Sequence, residues 1–196
     1  MPGWDTTDAA VAFGDGILTG EHVRLRALDD GDLKDLCGWW RDPGTNMLQA
    51  GILRPTVDSE IIEQFRKWCS NTSGLDVGLS VESLENREFI GHVSLFGATL
   101  ANRCATLGIF LGRSFWSKGF GADAVRTVVR YGFAELGLHR IQLGVWAFNT
   151  RAVAAYRTAG FREEGRRREV VFHDGVWYDE LLMGQLETEW RADRVG

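Results

Sequence analysis

Cysteine is scarce in this chain. Cys37, Cys69 and Cys104 form an odd, widely spaced set without a CxxC pair, which argues against a disulfide framework and fits a reducing compartment. No spacing of Cys, His or carboxylates suits a metal, so no metal is implied. Positive charge is not in excess: 22 Lys and Arg stand against 27 Asp and Glu, a net charge of −5. No broad basic surface for nucleic acid follows from that balance. No apolar run approaches the roughly 20 residues of a membrane-spanning helix. Residues 1–20 carry Asp5, Asp8 and Asp15 but no Lys or Arg, the opposite of the basic start of a secretory signal. No internal repeat, low-complexity tract or linker divides the chain. These absences leave the expectation of a cytoplasmic protein with no membrane or nucleic-acid partner. Residues 1–20 read as a loose acidic arm, 21–190 as a single domain and 191–196 as a tail. At 196 residues the chain is long enough to bury a core.

What is present is patterned. The eight tryptophans read as packing groups of the core or of a dimer interface. Glu21 to Ala27 alternates as a first strand. Asp29 to Trp40 has helical spacing and ends at the turn signal Asp42-Pro43-Gly44. A second helix starts after Pro55-Thr56, with Thr56 as its cap. Strand-like segments follow at 76–83, 88–96 and 104–111. A strong amphipathic helix runs from Gly119 to Leu136, a strand from His139 to Trp146, and a short helix from Thr150 to Ala159, capped by Asn149. Strands at 161–173 and 176–186 meet at Asp174-Gly175, a hairpin signal.

The segment Leu107 to Val129 is the most informative. A strand runs into the turn Lys118-Gly119-Phe120-Gly121-Ala122, and that turn opens the long helix. Backbone N–H groups at a helix start lack partners and carry partial positive charge, which makes an anion site. Gly119 and Gly121 remove side chains that would hold a phosphate off the backbone, and Lys118 adds a cation. The turn is neither a Walker A loop nor a dinucleotide fingerprint. Taken alone, it equally suits a tight turn with no ligand.

A second motif lies downstream: Asn149-Thr150-Arg151-Ala152, then Tyr156, then Ala159-Gly160-Phe161. With Trp116-Ser117-Lys118-Gly119-Phe120-Gly121 in front of it, the sequence resembles the GCN5-related N-acetyltransferase (GNAT) superfamily. The acyl-CoA motif of that superfamily is Gln/Arg-x-x-Gly-x-Gly/Ala, and Trp116 departs from its first position. The W-x-K-G-aromatic form, Glu164-Gly165 and Asp174-Gly175-Val176-Trp177-Tyr178-Asp179 resemble the ribosomal-protein N-terminal acetyltransferase branch and its polyamine-acetylating relatives. The likeness covers about residues 20–190.

The resemblance implies an α/β (α+β) fold of the GNAT type. Its central mixed sheet is mostly antiparallel, with about seven strands splayed at the acyl-CoA cleft and about four helices. It implies acetyl-CoA, or another acyl-CoA, as co-substrate and an amine as acceptor, joined by direct attack in a ternary complex. The sheet would open after Gly144. Pantetheine would pair with backbone near Ile109, Phe110 and Leu111, and a backbone N–H near Phe110 or Leu111 would support the oxyanion. Asn149 would bond the pantetheine arm. The phosphates would sit on Ser117, Lys118, Gly119, Phe120, Gly121 and Ala122, with Arg113 and Arg151 as further cations. Tyr156 occupies the place of the general acid.

His92, in a strand that lines the acceptor cleft of this family, is the candidate base, with a buried, satisfied histidine as the alternative reading and Glu82 behind it. His22, His139 and His173 read as surface groups. The acceptor stays open between a protein N-terminus and a small molecule, whether polyamine or antibiotic. An α-amine gives up its proton at pH 7 for about 1 kcal/mol, whereas a lysine-like amine costs about 4.6 kcal/mol. A polyamine would want clustered carboxylates, for which Asp58, Glu60 and Glu63 are the candidates; the same three equally read as a solvated helix face with favourable charge at its start. A succinyl-type donor, a homodimer and a non-catalytic acyl-CoA-binding regulatory domain are the remaining alternatives.

Overall fold

The computed structural model describes residues 4–49, 51–72 and 74–193. Over these it holds seven strands and seven α-helices. In chain order they are α1 (Thr7–Gly16), β1 (Val23–Arg26), α2 (Leu33–Arg41), α3 (Pro43–Asn46), α4 (Asp58–Trp68), β2 (Val77–Ser83), β3 (Phe89–Phe96) and β4 (Cys104–Leu111). Then come α5 (Phe120–Ala134), β5 (Arg140–Trp146), α6 (Thr150–Thr158), β6 (Arg162–His173), β7 (Val176–Leu186) and α7 (Glu187–Ala192). The four long helices expected after residue 20 are α2, α4, α5 and α6. No helix among the described residues is long and apolar enough to cross a membrane.

The structure departs from the sequence pattern at three places. The arm is not loose throughout: Thr7–Gly16 is a helix, with Thr6 Oγ1 accepting from the Ala9 N–H. Its end is tied down by Arg130 of α5, whose guanidinium donates to the carbonyls of Gly16, Ile17 and Thr19. Asp42-Pro43 starts α3 rather than only a turn, because the Asp42 carboxylate accepts from the Thr45 N–H and Pro43 fits the first helical position. Thr56 does not cap α4. Val57 stands there without a side-chain bond, and the Thr56 hydroxyl donates to the Arg54 carbonyl.

The strands form one sheet in the order β1-β2-β3-β4-β5-β7-β6. All neighbours are antiparallel except β4 and β5, which pair in parallel. That parallel pairing covers only Cys104↔Arg140, Ala105↔Ile141 and Thr106↔Gln142. Beyond it β4 stays with β3 as far as Leu111↔Gly91, and β5 stays with β7 as far as Trp146↔Glu180. Each strand follows its own half of the twisting sheet, and a gap opens between them. It opens after Gln142, two positions earlier than the expected Gly144.

The two faces are covered differently. The main core packs α5 and α6 on one face, with Val81, Leu95, Leu107, Val128, Phe133, Ile141 and Leu143 among its buried members. On the other face α2 and α4 pack Leu36, Ile61 and Phe65 against Phe110 of β4. Each fully buried side chain of this size contributes about 1.5–3 kcal/mol. Two well-anchored half-sheets therefore hold the gap between β4 and β5 open.

Candidate active site

The start of α5 has the features of an anion site. After β4 the chain makes one short turn at Arg113–Phe115 and reaches Gly119 at φ +86°. That left-handed backbone favours glycine. No side chain caps the helix, and the first bond within it runs from the Asp123 N–H to the Gly119 carbonyl at 3.1 Å. The N–H groups of Phe120, Gly121 and Ala122 are thus left for a ligand. The first turn does carry Asp123, but its charge is used elsewhere. It is 2% exposed and accepts from the N–H groups of Glu21 (3.2 Å), His22 (2.8 Å) and Val23 (3.1 Å). Asp123 therefore docks β1 onto α5 rather than repelling an anion.

A cleft of about 660 Å³ leads from this turn into the gap between β4 and β5. Of the residues expected to bind the co-substrate, Ile109, Phe110, Leu111, Ser117, Gly119, Gly121, Ala122, Asn149 and Arg151 line it, and so does Tyr156. The strand edge is readable from its partners. The Ile109 carbonyl accepts from Gln49 Nε2 and the Leu111 carbonyl from Trp116 Nε1, both at 2.9 Å. Both residues therefore turn their backbone groups to the gap, and no strand pairs with them there. Phe110, paired across from His92, turns its backbone to β3 instead. Of the two positions expected to supply an oxyanion donor, only Leu111 faces the gap.

Trp116 has a physical role in its unusual position. Besides holding the Leu111 carbonyl, its ring carries the Arg151 guanidinium 3.6 Å from the centroid, a cation–π contact. Partial burial lowers the pKa of Arg151. The Asn149 side-chain oxygen accepts from the Ala152 N–H at 3.2 Å and caps α6, which leaves its amide N–H₂ as its remaining donor. Tyr156 is 8% exposed. Burial pushes its hydroxyl up to about 12, so it stays protonated throughout the neutral range.

Four expected site residues do not line the cleft. Lys118 is exposed at its rim, and Phe120 packs its ring edge-on against Phe115, so only its backbone serves the turn. Arg113 lies against Gly44 and Asp42 at the end of α2. His92 is sealed beneath α4, between the rings of Phe65 and Trp68, with Nε2 3.9 Å from Cys69 Sγ and no partner on Nδ1. Burial pushes it down to about 4, so it is neutral at pH 7, and it is not among the residues that line the cleft. His92 alternates in phase with Phe110 across the sheet, and that phase puts it in the small core. Glu82 is held by Arg24, Arg26 and Arg87, which makes it a structural ion cluster. His173 is buried rather than on the surface. Gln49 and Glu180 line the cleft without having been anticipated. No group of three or more His, Cys, Asp or Glu among the described residues is placed to hold a metal.

A family model described as an acetyltransferase (GNAT) domain matches residues 22–162. The chain belongs to the GNAT acetyltransferase family. The Bacillus subtilis protein named "Probable N-acetyltransferase YjcK" is 41% identical over 180 residues, covering 88% of this chain and 98% of its own. The Escherichia coli enzyme that acetylates an alanine of ribosomal protein uS5 is 27% identical over 88 residues, covering 45% of each chain. Among solved structures, a spermidine N-acetyltransferase from Vibrio cholerae in complex with CoA and spermine superposes with a TM-score of 0.76. It is 27% identical, over 86% of this chain and 98% of that one. The branch is the one that contains the ribosomal-protein acetyltransferases. This GNAT protein is an acyl-CoA-dependent N-acetyltransferase, which moves an acyl group onto an amine.

Proposed function

We propose that the acceptor presents one primary amine, in the first place the α-amine of a protein or peptide N-terminus, and that the donor is acetyl-CoA. The observation that carries this is the distribution of acid around the cleft. Asp58, Glu60 and Glu63, the residues suited to clasp a polyamine, lie exposed on the first turns of α4 and do not line it. Asp58 is paired with Arg41 at 3.2 Å. An α-amine, costing only about 1 kcal/mol to deprotonate at pH 7, needs less acid around it than a polyamine does.

In this reading residues 21–190 are the catalytic unit. The pyrophosphate rests on the N–H groups of Phe120, Gly121 and Ala122, with Ser117, Lys118 and Arg151 near it. Pantetheine pairs with the free edge at Ile109 and Leu111, taking the place of the Gln49 amide, and Asn149 donates to it from the side. The amine attacks the thioester carbon, and its oxygen is met by the Leu111 N–H. Tyr156 then protonates the leaving thiolate. With the hydroxyl near 12 and an ordinary thiol near 8.5, that transfer is uphill by about 5 kcal/mol. The same burial raises the thiol and narrows the gap.

The test is thiol release from acetyl-CoA over a panel of peptides with free and blocked N-termini, spermidine and aminoglycosides. Free-N-terminal peptides should stimulate release and blocked ones should not. Preferential turnover of spermidine would contradict the acceptor assignment.

A further inference from the structure

We propose that Glu180 is the group that receives the acceptor: its carboxylate binds the arriving ammonium and takes a proton from it before attack. This rests on the acyl-transfer reading above and names the residue that performs its first step.

The placement follows from strand register. β5 and β7 pair as Trp146↔Glu180, Val145↔Leu181 and Gly144↔Leu182. Leu181 and Met183 belong to the main core, so strand alternation puts Glu180 on the opposite face of the sheet. From there the side chain leans across β5 toward the gap. A Cβ at Gly144 would lie 2.2 Å from Glu180 Oε1 and 2.7 Å from its Cδ. The carboxylate therefore occupies the space that any other residue at 144 would fill. Gly144 and Glu180 both line the cleft that holds Tyr156, and Glu180 is the one carboxylate among the described lining residues.

The carboxylate is also prepared for a cation. Its side chain is 14% exposed, and its partner is Arg167 of β6 at 3.2 Å, whose own side chain is 60% exposed. An exposed arginine is held weakly by such a pair, so an ammonium entering the cleft can replace it. A proton then passes from R–NH₃⁺ to the carboxylate, leaving R–NH₂ and a neutral Glu180. The nitrogen lone pair forms the C–N bond as the C–S bond breaks. The thiolate takes the Tyr156 proton, the second nitrogen proton returns to Tyr156, and Glu180 gives its proton to water through the open cleft.

The experiment compares wild type, Glu180→Gln, Glu180→Asp and Gly144→Ala in acetyl-CoA turnover with a free-N-terminal peptide, alongside acetyl-CoA affinity by calorimetry. Glu180→Gln should lower kcat/KM for the peptide by about 100-fold or more, with the acetyl-CoA Kd within about twofold of wild type. Glu180→Asp should recover part of that loss. Gly144→Ala displaces the carboxylate while leaving it present, and should cost about tenfold or more. A Glu180→Gln enzyme within about threefold of wild type overturns this inference and leaves the acyl-transfer reading standing. Should Glu180→Gln fail to fold, a Gly144→Ala enzyme as active as wild type overturns it in the same way. A wild-type protein that binds acetyl-CoA yet acetylates no amine overturns both.

Discussion

Removing the Asp123 carboxylate should loosen the β1–α5 contact beside the glycine turn that opens α5. In Asp123→Ala three backbone donors lose their acceptor: the N–H groups of Glu21, His22 and Val23, at 3.2, 2.8 and 3.1 Å. Hydrogen bonds to a charged group are worth about 1.5–3 kcal/mol each, and a buried donor left unsatisfied costs about 1–3 kcal/mol. Val23 is fully buried and bears the whole cost, whereas Glu21 and His22 lie at the surface and recover part of theirs from water. The sum is about 3–5 kcal/mol, a large share of the roughly 5–15 kcal/mol that holds a domain together. The partner Arg126, 3.3 Å away and itself 38% exposed, adds little on losing the charge. Urea unfolding followed by tryptophan fluorescence gives the difference directly, and the denaturant slope should stay unchanged. Asp123→Asn should fall in between, since its one oxygen can still accept from His22 and Val23. A loss below about 1 kcal/mol in Asp123→Ala would refute the assignment of this carboxylate as the clamp between the two elements.

Other perturbations read other parts of the molecule. His92 has a folded pKa near 4 against an ordinary 6.5, so the unfolded chain takes up its proton first as pH falls. Its contribution is complete above about 6.5 and is lost between there and 4, by about 3 kcal/mol in all. His92→Leu should flatten that part of the stability–pH curve, measured by urea unfolding from pH 4 to 7. Gly119→Ala places a side chain at φ +86°, at a cost of about 1–2 kcal/mol. No atom other than His22 Cδ2, at 3.9 Å, lies near the new Cβ, so the protein should fold while acetyl-CoA affinity falls by about tenfold, read by calorimetry.

Much of the cleft's lining was legible in the sequence because its signals are local. A strand, two glycines and an amphipathic helix follow one another within a short stretch, and Asn149 and Tyr156 sit on the next helix of the same motif. What escaped depends on contacts between distant segments. The sequence of β3 alone does not show that His92 packs under α4, against Phe65, Trp68 and Cys69. Glu180 is visible only through its register with β5 and the missing side chain at Gly144. Trp116 departs from the motif in the sequence, but its bond to Leu111 and its contact with Arg151 exist only in the folded turn. The helix at Thr7–Gly16 is held from outside by Arg130. The opening of the sheet after Gln142 is set by which neighbour each strand follows, information that no single strand carries.

The central claim is that acetyl-CoA lies in the gap between β4 and β5, with its sulfur beside the buried Tyr156 hydroxyl. Tyr156→Phe removes one oxygen from that cleft and leaves the helix start untouched. Turnover with a peptide acceptor, set beside the acetyl-CoA Kd of the same protein, is the direct test. The account predicts a fall in kcat of about 10²–10⁴ with the Kd within about threefold of wild type. Unchanged turnover, or a loss of acetyl-CoA binding in place of turnover, would contradict it.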